Sequence, residues 1–172
     1  MLPAVSARVA VPSDAAGIAN VIVAAQSAWD TGDFPDYIPY VTAELEQAWR
    51  VKLRQPHVHR TFVATDLTGD VTGVVSHLPE HLSHSPSPVT AGSAHLSTLF
   101  VSATQQGTLT AQHLHDTAIA SMITDRFRTA RLFVPQVASR AQSFYRRNGW
   151  EPTGREIVFA GLNRLEMRKA LV

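Results

Sequence analysis

Hydrophobic and polar residues alternate loosely from Val5 to Val11 and the pattern stops at Pro12, which predicts a short first strand. Pro12-Ser13-Asp14 then offers capping oxygens ahead of Ala15, Ile18, Val21, Ile22 and Ala25, whose helical spacing predicts a helix ending near Trp29. A turn-rich aromatic segment, Thr31 to Tyr37, separates it from a second helical pattern headed by Thr42 and carrying Leu45, Trp49 and Leu53. Thr61 to Thr65 and Val71 to His77 are rich in β-branched residues and flank Asp66-Leu67-Thr68-Gly69-Asp70, the signal of a hairpin. Leu78 to Gly92, rich in proline, serine and histidine, reads as a surface loop.

The pattern tightens after His95. Leu96 to Val101 is a strand, and Ala111, Leu114, Ala118, Ile119 and Met122 fit one helix face, so a strand feeds a helix through a short loop. Ala130 to Val134 is a further apolar strand. Val137, Ala141, Phe144 and Tyr145 then mark a helix closed by Asn148-Gly149, a pair that suits a helix C-cap and also a hairpin turn; the helical period before it favours the cap. Glu156 to Phe159 and Arg164 to Arg168 pair as a closing hairpin across Gly161-Leu162-Asn163. No internal repeat is visible.

Composition narrows the classes. A chain of 172 residues that is 45% hydrophobic and 17% charged can fill one globular core, so residues 1–172 are expected to form a single domain. A formal charge of +1 gives no general attraction to nucleic acid or anionic lipid, and neither is an expected partner. The absence of cysteine removes disulfides, thiolate metal sites and a cysteine nucleophile, and suits a cytoplasmic protein. Met1 to Val11 lacks the basic start of a signal peptide, and no stretch is apolar enough to span a membrane.

Chemistry concentrates between the strongest strand and the strongest helix. Ser102 to Ala111 is a loop of small and polar residues leading into a helix, where unpaired N–H groups and the positive end of the dipole favour an anion. No Gly-Lys-Ser/Thr follows and the three glycines of a dinucleotide fingerprint are missing. The loop resembles instead the phosphate loop of GNAT-superfamily N-acetyltransferases, Gln/Arg-x-x-Gly-x-Gly/Ala after a Leu-x-Val strand. The counterpart here is Gln106-Gly107-Thr108-Leu109-Thr110-Ala111 after Leu99-Phe100-Val101. The family's second signature, Asn-x-x-Ala-x-x-Phe-Tyr-x-x-x-Gly-Phe after an apolar strand, resembles Ala138 to Trp150 after Leu132-Phe133-Val134. Two departures stand out, Leu109 in place of glycine and Ala138 in place of asparagine.

The resemblance implies an α/β fold with a mixed, centrally splayed sheet flanked by helices, and an enzyme that moves acetyl from acetyl-CoA directly to a primary amine of a small molecule or a peptide. It implies that Leu99, Phe100 and Val101 offer strand backbone to the pantetheine arm, and that the amides of Gln106, Gly107, Thr108, Leu109, Thr110 and Ala111 hold the pyrophosphate. Ser139 takes over part of the missing asparagine contact. Tyr145, which taken alone is core packing beside Phe144, protonates the departing thiolate; a strand amide steadies the oxyanion. His95, just before Leu96, is the expected general base, an imidazole titrating near neutrality. Leu109 keeps the loop amides available if it takes ordinary helical dihedrals and turns into the core. Trp29, Phe34 and Tyr37, together with the Leu78 to Gly92 loop, are expected to shape the acceptor site. Family members also form homodimers, for which the carboxy-terminal hairpin is the expected contact. The alternatives are a non-catalytic acyl-CoA-binding or degenerate GNAT-fold regulatory protein, and a metal- or ligand-binding domain.

The histidine pairs do not strengthen the metal reading. His113 and His115 project about 200° apart on a helix, and His57 and His59 follow Pro56 in a loop. They are read as surface histidines, with no metal expected. Arg146-Arg147 and Arg126-Phe127-Arg128 are read as solvated faces.

Overall fold

The computed structural model describes residues 6–172, so the part of the first predicted strand at Val5 lies outside the described residues. In chain order the elements are β1 (Ala7–Val9), α1 (Ala15–Ser27), α2 (Thr42–Leu53), β2 (Arg60–Thr65), β3 (Val71–Pro79), β4 (Ser93–Val101), α3 (Thr110–Thr124), β5 (Thr129–Pro135), α4 (Ser139–Arg147), β6 (Glu151–Phe159) and β7 (Leu162–Ala170). They form one seven-stranded sheet in the order β1-β2-β3-β4-β5-β7-β6. Neighbours pair antiparallel except β4 and β5, which run parallel because α3 carries the chain back across the sheet between them.

Strand alternation sorts side chains into cores on the two faces. Val63, Val74 and Phe100 pack with α1 and α2, where Ile18, Ile22, Leu45 and Trp49 are buried. Ala64, Val75, Leu96, Leu132 and Val134 pack with Leu114, Ala118 and Met122 of α3 and with Tyr145 and Trp150. The start of α1 is fixed by Asp14, which accepts the Val11 N–H at 2.8 Å and two bonds from the Arg8 guanidinium at 2.8 Å each. At the end of α4, the Asn148 amide donates to the Phe144 carbonyl at 3.0 Å and Gly149 takes φ +81°, so Asn-Gly is a helix cap and not a hairpin turn.

Two expectations need correction. Leu78 to Gly92 is not simply a surface loop: β3 runs on to Pro79, and Glu80 is fully buried. Its carboxylate accepts the Thr90 N–H at 3.1 Å and faces buried arginines, which pulls the start of the segment inward. The closing hairpin turns at Ala160-Gly161, with φ of 51° and 76°, while Leu162 and Asn163 already belong to β7. Two consecutive positive φ values match the right-handed twist of the flanking strands. This turn docks on the segment between α1 and α2: the Ile38 N–H donates to the Ala160 carbonyl at 3.0 Å. A Cβ on Gly161 would sit 2.1 Å from the Asp36 carbonyl oxygen. Gly161→Ala should therefore cost roughly 2 kcal/mol, combining an unfavourable φ with a backbone clash, and thermal unfolding should register it as a fall of several degrees.

Candidate active site

The parallel pairing of β4 and β5 is confined to Ser93–His95 against Thr129–Arg131. Beyond it Leu96–Val101 and Leu132–Pro135 have no ladder between them, which leaves backbone groups along the inner edges of both strands available. A bulge near the apex adds to this. Thr98 lies opposite Ser76 and Leu96 opposite His77, so Ser97 is the extra residue, and its hydroxyl donates to the Ser76 carbonyl at 3.2 Å.

The gap leads to the loop before α3. Among the described residues, no acceptor of the chain takes the N–H groups of Gly107, Leu109, Ala111 or Gln112. Gly107 adopts φ +77°, and Leu109 has ordinary right-handed dihedrals of −79° and 0° as the cap of α3. The Leu109 side chain does not enter the core; it is 76% exposed, and the amides survive because the side chain points to solvent. Gln106 and Thr108 are less available, since their N–H groups already donate to the Ala103 and Gln105 carbonyls. Thr110 donates its hydroxyl to Gln105 Oε1 at 2.8 Å, tying the loop to the helix start. Arg140, on the first turn of α4, donates to Gln106 Oε1 at 3.1 Å and sets a cation beside this loop. Nothing in the sequence singled out Arg140, because its neighbour across the gap is 34 positions away. The loop amides, the Arg140 cation and the unpaired strand edges fit a pyrophosphate followed by an extended amide chain.

Tyr145 lies on the α3–α4 side of the sheet, buried edge-on against Phe144 at 5.6 Å and Trp150 at 6.0 Å. Burial pushes its phenol above the ordinary value, so it stays protonated, and its hydroxyl bonds to no group among the described residues. Ser139 is exposed at the start of α4, and Ala138 is buried as the residue before it. His115 corrects the surface reading of the histidines: it is 2% exposed, its Nε2 accepts the Trp150 indole N–H at 3.0 Å, and its Nδ1 faces Asp116 at 3.0 Å. Its i+1 carboxylate and a distant indole supply the partners that make the burial tolerable.

The opposite face is different in character. The β5–β7 register sets Arg131, Phe133 and Pro135 against Arg168, Glu166 and Arg164, so these six residues share one face. At its inner end Glu80 accepts from Arg131 at 3.0 Å and from Arg168 at 3.0 Å, with all three groups wholly or largely buried. Arg131 also donates to Ser83 Oγ at 2.6 Å and, through Nε, to His95 Nδ1 at 3.5 Å. Burial first, and the Arg131 charge next, push His95 down to about 4, so the imidazole is neutral at neutral pH and does not titrate near it. Its ring packs 5.7 Å from Phe133.

Trp29 and Tyr37 border a cavity of about 130 Å³ on this face, together with Gln26 and Tyr40; Phe34 does not line it. Phe34 instead shapes the turn, its carbonyl accepting the Tyr37 N–H at 3.0 Å. Trp29 leans on Phe100 of β4, with ring centroids 6.2 Å apart. The segment that was expected to share this site, Leu78 to Gly92, lies at the start of β4, while the Trp29 to Tyr40 segment meets the outer end of β4 and the β6–β7 turn. The two do not form one wall. Among the described residues no three histidine or carboxylate side chains converge, and no helix is long and apolar enough to cross a membrane.

Comparison with known proteins agrees with this geometry. Residues 88–171 match the family model described as acetyltransferase (GNAT) domain. The PaiA N-acetyltransferase of Thermoplasma acidophilum, solved with coenzyme A, is similar over 97% of this chain and 99% of its own, at 14% identity and a TM-score of 0.73. A GCN5-related N-acetyltransferase from Kribbella flavida gives 21% identity, 97% and 98% coverage and a TM-score of 0.69. The ribosomal-protein-alanine N-acetyltransferase of Brucella melitensis gives 17% identity, 96% and 99% coverage and a TM-score of 0.70. Identities this low carry the fold alone. No curated protein matches the chain in sequence.

Proposed function

Because the chain belongs to the GNAT superfamily of acetyl-CoA-dependent acetyltransferases, we propose that it transfers the acetyl group to a primary amine of a small molecule or a peptide by direct attack. The observation that carries this reading is the gap between β4 and β5, which starts at the His95–Arg131 pair and ends on the unpaired amides of Gly107, Leu109, Ala111 and Gln112. Bound acetyl-CoA supplies a thioester whose carbonyl accepts the nucleophile. Leu99 to Val101 hold its arm through strand backbone, the loop amides hold its phosphates, and the bulged backbone around Ser97 offers an N–H to the carbonyl oxygen.

Proton handling divides between the faces. Tyr145, protonated and without a hydrogen-bond partner among the described residues, donates to the leaving sulfur. His95 works from its neutral form; with a pKa near 4 it cannot deprotonate a free ammonium, so the amine arrives uncharged and His95 receives only the proton released as the C–N bond forms. Trp29 and Tyr37 wall the acceptor, with Phe34 holding the turn that carries Tyr37. The cysteine-free composition supports a cytoplasmic setting, and the exposed edge strand β6 supports a homodimer contact through the carboxy-terminal hairpin.

The test is acetyl-CoA-dependent thiol release across polyamines, amino acids, antibiotics and peptide amino termini. Coenzyme binding without thiol release for any amine would sink the transferase reading. Leu109→Gly is expected to change coenzyme affinity less than threefold by calorimetry, since position 109 already takes a right-handed conformation and its side chain stands in solvent. A large gain would mean that Leu109 obstructs the loop.

A further inference from the structure

Arg164 is a cation without a counterion on the acceptor face. Its Nε is buried and has no hydrogen-bond partner, and among the described residues no carboxylate pairs with it. The guanidinium stacks over Phe159, 5.1 Å from the ring centroid. Tyr37 and Tyr40, the phenols that act on its charge, line the cavity beside Trp29, and Arg164 stands just outside that lining. The other two arginines of the β5–β7 ladder on this face are paired: Arg131 with Glu80, and Arg168 with Glu80 and Glu166. Burial is the largest influence and holds Arg164 below its ordinary value, which the neighbouring Tyr40 and Tyr37 offset only in part.

The cavity itself has unused polar capacity. Gln26 is buried yet its side-chain amide bonds to no group among the described residues, and it lines the same space as Tyr37 and Tyr40. A volume of about 130 Å³ suits a few heavy atoms beyond the reacting amine. Docking of the β6–β7 turn on Asp36 to Ile38 keeps Arg164 and Tyr37 in fixed relation.

We propose that Arg164 recognises a carboxylate on the acceptor, so that the preferred substrates are amines of amino-acid size bearing a free carboxylate, held by the guanidinium fork between Phe159, Tyr37 and Tyr40. A planar fork with several unfilled donors matches a carboxylate in two parallel bonds, whereas a polyamine would meet repulsion there. This inference rests on the transferase reading, because it specifies the acceptor for the same site.

The experiment compares free amino acids with their carboxamides in acetyl-CoA-dependent thiol release, rates being corrected for the fraction of free amine. Acids should exceed amides in kcat/KM by roughly tenfold or more, the size of a charge-assisted contact. Arg164→Gln should erase the difference through KM, Arg164→Lys should keep part of it, and acetyl-CoA affinity should not move in either. Both variants should melt within a few degrees of the parent, since Arg164 is half-buried and no carboxylate loses its partner. Amides equal to acids, or a preference that survives Arg164→Gln, overturns the inference, as does a stronger preference for phosphoethanolamine or taurine. A second readout separates it from the transferase reading: the Arg164 Nε–H resonance should shift with N-acetylated amino acids and not with their amides. That shift without thiol release for any amine would retain the anion site and sink the transferase. Thiol release without acid preference, or no acid-dependent shift, sinks the anion site.

Discussion

Glu80→Ala should lower the melting temperature by about 10 °C. Glu80 is fully buried and its Oε1 accepts from Arg131 and from Arg168 at 3.0 Å each, while Arg131 itself has no exposed surface. Removing the shared anion leaves the buried Arg131 guanidinium without the carboxylate it hydrogen-bonds, with Glu166 acting only from a distance, a change that costs roughly 3–5 kcal/mol. For a chain of this size each kilocalorie moves the midpoint by about 2–4 °C. The direction with pH follows from the carboxylate. Burial opposes ionisation of Glu80, but the Arg168 and Thr90 hydrogen bonds and the Arg131 charge outweigh it and hold the group below its ordinary value. A depressed folded-state pKa contributes stability that is complete above the unfolded value and disappears as pH falls through the folded one. The gap between parent and variant should therefore be widest near neutrality and close in acid. Glu80→Met combined with Arg131→Met should recover most of the loss, because an apolar pair of similar volume needs no counterion. A melting point within about 3 °C of the parent, or a gap that widens in acid, would show that the pair contributes little.

The same network marks the boundary of what the sequence conveys. Both signature segments, the strand feeding α3 and the capped helix α4, are legible because their physics is local: period, small residues at a helix start, and Asn-Gly at a helix end. The Glu80–Arg131 pair is not legible, since its partners are 51 positions apart and one of them sits in a stretch whose composition reads as solvent-exposed loop. One signal was present. Arg131 interrupts the apolar run Ala130 to Val134, and a charge inside a buried strand requires a partner somewhere. His115 hides for a similar reason, its Trp150 partner being 35 positions away.

Side-chain direction was the other gap. Leu109 was identified from the motif, but whether it faced core or solvent depends on where the loop meets the sheet, which no periodicity encodes. The pattern starts the strand at Leu96, whereas β4 begins at Ser93 and takes in His95; burial against Phe133 and the Arg131 charge on a different strand bring its imidazole down to about 4. The bulge at Ser97 adds one residue to β4 and has no counterpart in the hydrophobic pattern.

Tyr145→Phe should reduce kcat by about a hundredfold or more, the range of general-acid catalysis, while leaving acetyl-CoA affinity and the melting temperature nearly unchanged. The hydroxyl bonds to nothing in the described chain, so its removal breaks no structural contact, and the ring keeps its edge-on packing with Phe144 and Trp150. A purely structural tyrosine would show the reverse, a lower melting point with kcat preserved. The pH profile separates the two proton-handling groups further. Burial holds the Tyr145 phenol above its ordinary value, so no loss of activity from its deprotonation should occur up to about pH 10. His95, near 4, should give no limb between pH 6 and 8, and the rise in rate there should track the pKa of whichever amine is used. Changing the acceptor should shift that limb; changing His95 to glutamine should lower the plateau without shifting it. A limb near pH 6.5 that is independent of the acceptor and vanishes in His95→Gln would mean that the imidazole titrates normally and takes the proton from the ammonium itself. A Tyr145→Phe variant retaining a third or more of kcat would move the acid to another group or to water.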